Sequence, residues 1–347
     1  MMEEIKLTQY SKGSGCGCKI SPATLKEILH TNEEFPSDPR LWVGNESNDD
    51  AAVIEWNGNE GLIATTDFFM PMVDDPFAFG KIAAANALSD VYAMGGSPLM
   101  ALAILGWPID KLPVAHAQQV LEGARLVCRM AGVPLAGGHS IESAEPIFGL
   151  AVSGRIERSQ LKRNNTAQAG DWLYLTKPLG AGIISAALKR GQLDDPAHID
   201  AVVAYMSALN KIGEAFGRIS GVHAMTDVTG FGFAGHLLEL CEGSGLSAEV
   251  LMDELPVYPF LNDYIARHIY PDMTMKNYSY YAAKISTLSL PQLLLLCDPQ
   301  TSGGILVSVA ESSRHEVEAC MHDFGLSAFA KPIGKMTTLG EKVITVC

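Results

Sequence analysis

Apolar segments alternate with polar and Gly-rich breaks along most of the chain, and their lengths sort into strands and helices. Residues 61–66 read as a short strand ending at Asp67. Residues 77–94 predict a helix, started by Asp74/Asp75-Pro76 and closed by Gly95-Gly96. Residues 99–105 are continuously apolar, the pattern of a fully buried strand. A helix over 114–130 ends at Gly132, and residues 147–154 predict another strand. Further on, residues 172–176 predict a strand and 182–189 and 199–216 predict helices. Residues 304–310, 313–324 and 343–346 complete the series as strand, helix and strand.

Residues 1–40 lack a long strand pattern. They read as a mobile arm, Gly-rich near residues 13–17, followed by one helix over 22–30 with Ser21 as its cap. A boundary falls where 157–162 is charged and two adjacent asparagines follow. The expected organisation is an arm and first helix over 1–40, a domain over 41–156 and a second over 157–347. Both domains are mixed, giving an α+β fold class.

Composition narrows the function. With 347 residues, 48% apolar content and only 18% charge, the chain can bury two cores. A net charge of −14 argues against nucleic acid or an anionic membrane as partner, because such binding needs concentrated Lys and Arg. Phosphorylated substrates stay open, since bound divalent metals reverse the sign of a local site. The start of the chain lacks the basic region and apolar core of a secretory signal, and no apolar run is long enough to span a bilayer. Seven scattered cysteines read as free thiols of a reducing, cytoplasmic compartment.

Three groups of residues can carry chemistry. Asn48-Asp49-Asp50 precedes the apolar run 51–54, Asp67 follows a strand, and Asp90 lies one turn beyond Asn86 in a helix of small apolar residues. Carboxylates in such surroundings must be paired, hydrogen-bonded or metal-bound, and Mg²⁺ is the hard cation that suits them. Three Gly-rich loops, at 135–140, 226–232 and 298–304, are the second group. Each can offer backbone N–H groups to an anion, and a tight turn accounts for each equally well. No GxGxxG or GxxxxGK[ST] run is present, so an ATP site here is built differently. The third group is Gly13-Ser14-Gly15-Cys16-Gly17-Cys18-Lys19, where a thiol between glycines reads as exposed and Lys19 favours its thiolate or a transferring phosphate. A CxC redox or metal-binding protein is the competing reading of that run.

Together, Thr8-Gln9-Tyr10-Ser11, Gly15-Cys16-Gly17-Cys18-Lys19, Asn48-Asp49-Asp50, Thr65-Thr66-Asp67-Phe68-Phe69, Asn86-Ala87-Leu88-Ser89-Asp90, Gly137-Gly138-His139-Ser140, Thr226-Asp227-Val228-Thr229-Gly230 and Asp298-Pro299-Gln300-Thr301-Ser302-Gly303-Gly304 closely resemble the selenide, water dikinase (selenophosphate synthetase) family. The later glycine loops are shared with the wider group of aminoimidazole ribonucleotide synthetase-like ATP enzymes. The resemblance implies a two-domain PurM-like fold, a homodimer, and Mg²⁺-dependent conversion of ATP, selenide and water to selenophosphate, AMP and orthophosphate. It further implies Asp50, Asp90 and Asp227 as metal ligands. Lys19, Ser47, Asn48, Asp49, Asp67, Gly138, His139 and Ser140 are the implied ATP contacts, with Asp67 and Asp90 reaching the nucleotide mainly through metal. Cys16, with Lys19, is implied to be catalytic. An aminoimidazole ribonucleotide synthetase or a thiamine-monophosphate kinase is the neighbouring alternative, distinguished by the cysteine-lysine arm.

Overall fold

The structure is a computed structural model, and it describes residues 5–20, 22–29, 38–44 and 49–347. The strands, in chain order, are β1 (Leu41–Val43), β2 (Ala52–Glu55), β3 (Glu60–Phe69), β4 (Ser97–Trp107), β5 (Leu135–Glu142), β6 (Ile147–Glu157), β7 (Trp172–Leu175), β8 (Val222–Asp227), β9 (Leu246–Val250), β10 (Ile305–Val309), β11 (Gly334–Thr338) and β12 (Ile344–Val346). The helices are α1 (Pro22–Leu29), α2 (Pro76–Ala93), α3 (Val114–Ala131), α4 (Ala181–Lys189), α5 (Pro196–Met206), α6 (Ile212–Gly217), α7 (Gly232–Ser244), α8 (Leu261–Ala266), α9 (Asp272–Tyr281), α10 (Leu290–Leu296) and α11 (Arg314–Asp323).

Two sheets organise the chain. Among the described residues the first has the order β1-β2-β3-β6-β4-β5 and the second β12-β9-β11-β7-β10-β8. Pairing is antiparallel except for β4 with β5 and β12 with β9.

Helix α2 is apolar all round and buried along nearly its whole length, as expected of a helix covered on every side. One side rests on the first sheet and α3; the other meets β8, α5 and α6. Asp75 caps its start, accepting from the N–H groups of Phe77 and Ala78 at 3.0 and 3.2 Å, and Pro76 occupies the first turn. Two glycines let α2 and α3 touch backbone to backbone: a Cβ on Gly80 would lie 1.8 Å from the Val120 carbonyl oxygen, and one on Gly123 2.1 Å from that of Phe77. Alanine at either position would separate the helices and shift Asn86 and Asp90.

Three expectations need correction. Residues 135–140 are not a turn; they belong to the exposed strand β5, held parallel to β4 at the sheet edge. Strand β4 is not fully buried, because Leu99, Met100 and Leu102 are 44%, 39% and 39% exposed. Only one face of its sheet is covered, by α2 and α3, and the apolar run extends across both. The helix expected over 199–216 breaks into α5 and α6. The break turns Asn210 inward, where its side-chain amide donates to Ser89 Oγ and to the Gly303 carbonyl, both at 2.8 Å. Asp67 lies within β3, which runs two residues further than the pattern showed. The cap Ser21 and His30 lie outside the described residues.

Candidate active site

Four aspartates come together where α2 passes between the sheets. Asp67 is presented by β3 and Asp90 by α2; Asp50 stands just before β2 and Asp227 ends β8. Each has part of its charge answered. Asn86 Nδ2 donates to Asp67 Oδ2 at 2.5 Å, and Thr65 Oγ1 to Asp90 Oδ2 at 2.5 Å. Thr226 Oγ1 donates to Asp50 Oδ1 at 2.9 Å. Lys19 Nζ lies 3.4 Å from Asp67 Oδ2.

The balance is incomplete. Asp50 Oδ2 and Asp227 Oδ2 are shut off from solvent and accept no hydrogen bond. Burial pushes the carboxyls of Asp50 and Asp90 well above the usual range, and the charge of Asp227 adds to both. Asp227 rises to about 6, again through burial, against a hydrogen bond from Ser89 and the charge of Lys19. A cluster of this kind is costly without a cation, and its free oxygens are hard donors.

The N-terminal arm closes over these aspartates. The Gly15 N–H donates to the Met70 carbonyl at 2.9 Å, and the Cys16 N–H donates to Thr301 Oγ1 at 3.0 Å. Lys189, at the end of α4, donates from one ammonium to the carbonyls of Ser11, Lys12 and Gly13 at 2.7, 3.0 and 2.9 Å. Gly230 admits the arm: a Cβ there would fall 2.6 Å from the Cys16 carbonyl oxygen. The expectation of an exposed Cys16 is therefore corrected. Flanking glycines let the arm fold down, so Cys16 is fully buried and donates from Sγ to Asn86 Oδ1 at 3.4 Å. Burial raises its pKa well above the free-thiol value, with Lys19 opposing. Cys18 is half-buried and also raised, chiefly by burial. Burial alone would lower the Lys19 pKa, but Asp67 and the neighbouring negative groups outweigh it and hold the ammonium charged.

Not every implied contact is seen at this cluster. Ser47 and Asn48 fall outside the described residues, while Asp49 Oδ1 accepts from the Asn164 N–H at 2.7 Å. Gly138, His139 and Ser140 are exposed on β5. The register runs from Asp67 to Leu150, Ala103 and then Gly138, which is three strand spacings, roughly 14 Å. One copy therefore does not bring these residues to its aspartates.

Asn86 is more central than the pattern revealed. Its Oδ1 also accepts the Ser302 N–H at 2.8 Å, so one amide joins arm, α2, β3 and the 298–304 loop. Ser302 holds φ at +50°, a left-handed backbone that non-glycine residues seldom adopt. The same loop secures α4, since Gln300 Oε1 accepts from Gly180 and Ala181, and Asp298 Oδ2 from Gly182 and Ile183. Lys177 is wholly buried behind it, donating to the Ala208 and Ser302 carbonyls, and burial lowers its pKa to about 7. A lone lysine after a short strand gives no pattern by which to find it.

Residues 48–156 match the AIR synthase related protein N-terminal domain and 168–347 its C-terminal domain. Among solved structures, thiamine monophosphate kinase from Aquifex aeolicus superposes with a TM-score of 0.64 at 17% identity, covering 93% of this chain and 94% of that one. The hydrogenase maturation protein HypE, solved in complex with ATP, gives 0.66 at 19% identity, covering 89% and 87%. These likenesses establish the two-domain PurM-like α+β fold, and the chain belongs to the AIR synthase-related family. Curated relatives define the branch. A selenide, water dikinase of Shewanella sp. strain W3-18-1 is 56% identical over 92% of this chain and 90% of its own length. The Pseudomonas putida selenide, water dikinase is 54% identical over the whole of both. Within the larger family, the chain is a member of the selenide, water dikinases. No helix among the described residues is long and apolar enough to cross a membrane.

Proposed function

We propose that the four aspartates, with the arm closed over them, are where this selenide, water dikinase holds and cleaves ATP, and that Cys16 and Lys19 are its catalytic residues. The enzyme converts ATP, selenide and water to selenophosphate, AMP and orthophosphate. One observation carries the siting: Cys16 and Lys19 reach Asn86 and Asp67 in the same cluster that leaves Asp50 Oδ2 and Asp227 Oδ2 unpartnered.

Mg²⁺ fits this donor set. Among the described residues, no three Asp, Glu, His or Cys side chains group closely enough to hold a metal alone. That agrees with a cation that keeps waters and takes substrate phosphates beside one or two carboxylates. Asp50, Asp90 and Asp227 would supply its carboxylates, one or two to an ion, and when bound it would neutralise charge on the phosphates. The chain's own groups do the rest. Lys19 places a fixed positive charge beside Asp67, where phosphate oxygens gain charge during transfer. The buried arm excludes water from the first transfer, so selenide rather than hydroxide receives the phosphoryl group. Arm opening then has to admit the water that cleaves the second anhydride. Phosphorus NMR of anaerobic reactions tests the activity. Selenophosphate, AMP and orthophosphate are expected with selenide present, and ADP as the only nucleotide product would favour a simple kinase.

A homodimer completes the proposal. The uncovered face of the first sheet is apolar, with Phe68 48%, Leu102 39% and Ile141 60% exposed. A second copy seated there would cover this face and also meet Gly138, His139 and Ser140, which one chain leaves idle. ATP contacts from those residues then require the partner's copy. Sedimentation equilibrium should give twice the 37.2 kDa chain mass, and Leu102→Lys with Ile141→Lys should shift it toward monomer. A monomeric parent protein at micromolar concentration would dismiss the dimer. Free thiols throughout the described chain are compatible with a cytoplasmic location.

A further inference from the structure

On the side of the arm away from the aspartates lies a cavity of about 620 Å³, bounded by the arm, α4 and the start of α9. Its lining is unusual for a chain of net charge −14: Lys12, Lys19, Lys189, Arg190 and Lys276 face a single carboxylate, Asp272. Arg190 pairs with that carboxylate at 3.6 Å, and Lys189 donates to three backbone carbonyls while the carboxylates of Glu145 and Asp272 act on its charge without pairing with it. The ammonium groups of Lys12 and Lys276 enter no ion pair among the described residues, while the Glu145 carboxylate accepts the backbone N–H of Lys12 at 3.0 Å. Four sulfur-bearing side chains, Cys18, Met70, Met72 and Met273, share the wall with small and polar residues.

We propose that this cavity is the vestibule through which the anionic acceptor reaches the closed arm, and that Lys12 and Lys276 draw it in. A hydrogen chalcogenide anion combines negative charge with a large polarisable atom, which cations and thioethers together suit better than either alone. The volume far exceeds one such ion, so the cavity concentrates the acceptor instead of gripping it. Cys18 and Lys19 line its inner wall, and Lys19 reaches from there to Asp67. The arm thus separates an acidic side for metal and nucleotide from a basic side for the acceptor.

The assignment rests on the dikinase reading, so its test has one arm that needs no turnover. In that arm, Cys18 is alkylated by anionic iodoacetate and by neutral iodoacetamide, and each rate is followed at that residue by peptide mass spectrometry. The rate ratio reports the local potential, and the double variant Lys12→Met, Lys276→Met should lower it about threefold or more. In the second arm, kcat/KM for hydrogen selenide should fall about tenfold in the same variant and lose most of its dependence on salt, while KM for ATP stays within about twofold. An unchanged alkylation ratio would remove the basic cavity itself. A lowered ratio with unchanged selenide kcat/KM would show that the acceptor enters elsewhere. A parent enzyme that makes no selenophosphate would defeat the dikinase reading and the acceptor assignment with it, while the alkylation ratio would still report the cavity's charge.

Discussion

Replacing Asp227 with Asn is expected to lower ATP turnover by on the order of 100-fold or more and, in the same protein freed of metal, to raise its stability. The two effects have one origin. Asp227 is buried, its Oδ2 accepts nothing, and its charge pushes up the carboxyls of Asp50 and Asp90. Asparagine keeps the shape and can still accept from Ser89, but it carries no charge and ligates a hard cation poorly.

The sign with pH follows from the raised pKa. Between about pH 4 and 6 the folded protein keeps a proton on Asp227 that the unfolded chain has lost, so stability falls as pH rises through that window. A rise of this size corresponds to about 3 kcal/mol when fully expressed. The amide of the variant does not titrate and has no such loss. Metal-free Asp227→Asn should therefore match the parent near pH 4 and exceed it increasingly up to about pH 6, where the gap levels off. Urea unfolding across that range in the presence of a chelator measures it. Added Mg²⁺ should narrow the gap at pH 7, because a bound cation favours the carboxylate it neutralises. A gap independent of pH, or Mg²⁺ dependence of turnover left intact, would take Asp227 out of the metal-binding group.

Much of this fold could be read from the sequence where one physical signal dominated. Helix α2 announces itself through Asp75-Pro76, a long apolar interior and Gly95-Gly96, and two of its polar interruptions, Asn86 and Asp90, serve the site. Strand β4 misled because continuous apolarity does not distinguish burial by one's own chain from a face left open. The 135–140 run misled for a related reason. Adjacent glycines signal turns, yet here they occupy an edge strand, at the point where its register with β4 shifts between Leu135 and Gly138. Within the site, Asp50, Asp67 and Asp90 were legible because a carboxylate at the edge of or inside an apolar element needs a reason to be there, whereas Asp227 entered through its glycine loop and the family resemblance. Thr301, Ser302 and Lys177 carried no such signal. Each has a partner more than 100 residues away in sequence, as in the Cys16 to Thr301, Asn86 to Ser302 and Lys177 to Ser302 hydrogen bonds. Only the folded chain shows that the third glycine loop holds the arm.

Replacing Cys16 with Ser is expected to abolish selenophosphate formation while nucleotide binding survives. The geometry separates the two properties. Sγ donates to Asn86 Oδ1, and the backbone N–H of the same residue donates to Thr301 Oγ1. A serine hydroxyl can replace the first bond and leaves the second untouched, so the arm should still close and Asn86 should still hold Asp67 and Ser302 in place. What serine lacks is a soft, ionisable atom. In the closed arm the thiol is held neutral by burial, and Lys19 is the neighbour that opposes this. Arrival of a cation at the aspartates, or opening of the arm, would free the thiolate where the selenium must be handled. A hydroxyl, far less acidic, gains nothing from either event. Cys18 supplies the contrast: it is half-buried, lines the outer cavity and makes no contact with Asn86. Cys18→Ser should therefore keep substantial activity. Anaerobic product analysis of both variants, beside equilibrium binding of a non-hydrolysable ATP analogue, distinguishes the roles. Full selenophosphate formation by the Cys16 variant, or loss confined to the Cys18 variant, would reverse the assignment. Loss of nucleotide binding in Cys16→Ser would instead make the thiol a structural clasp of the arm.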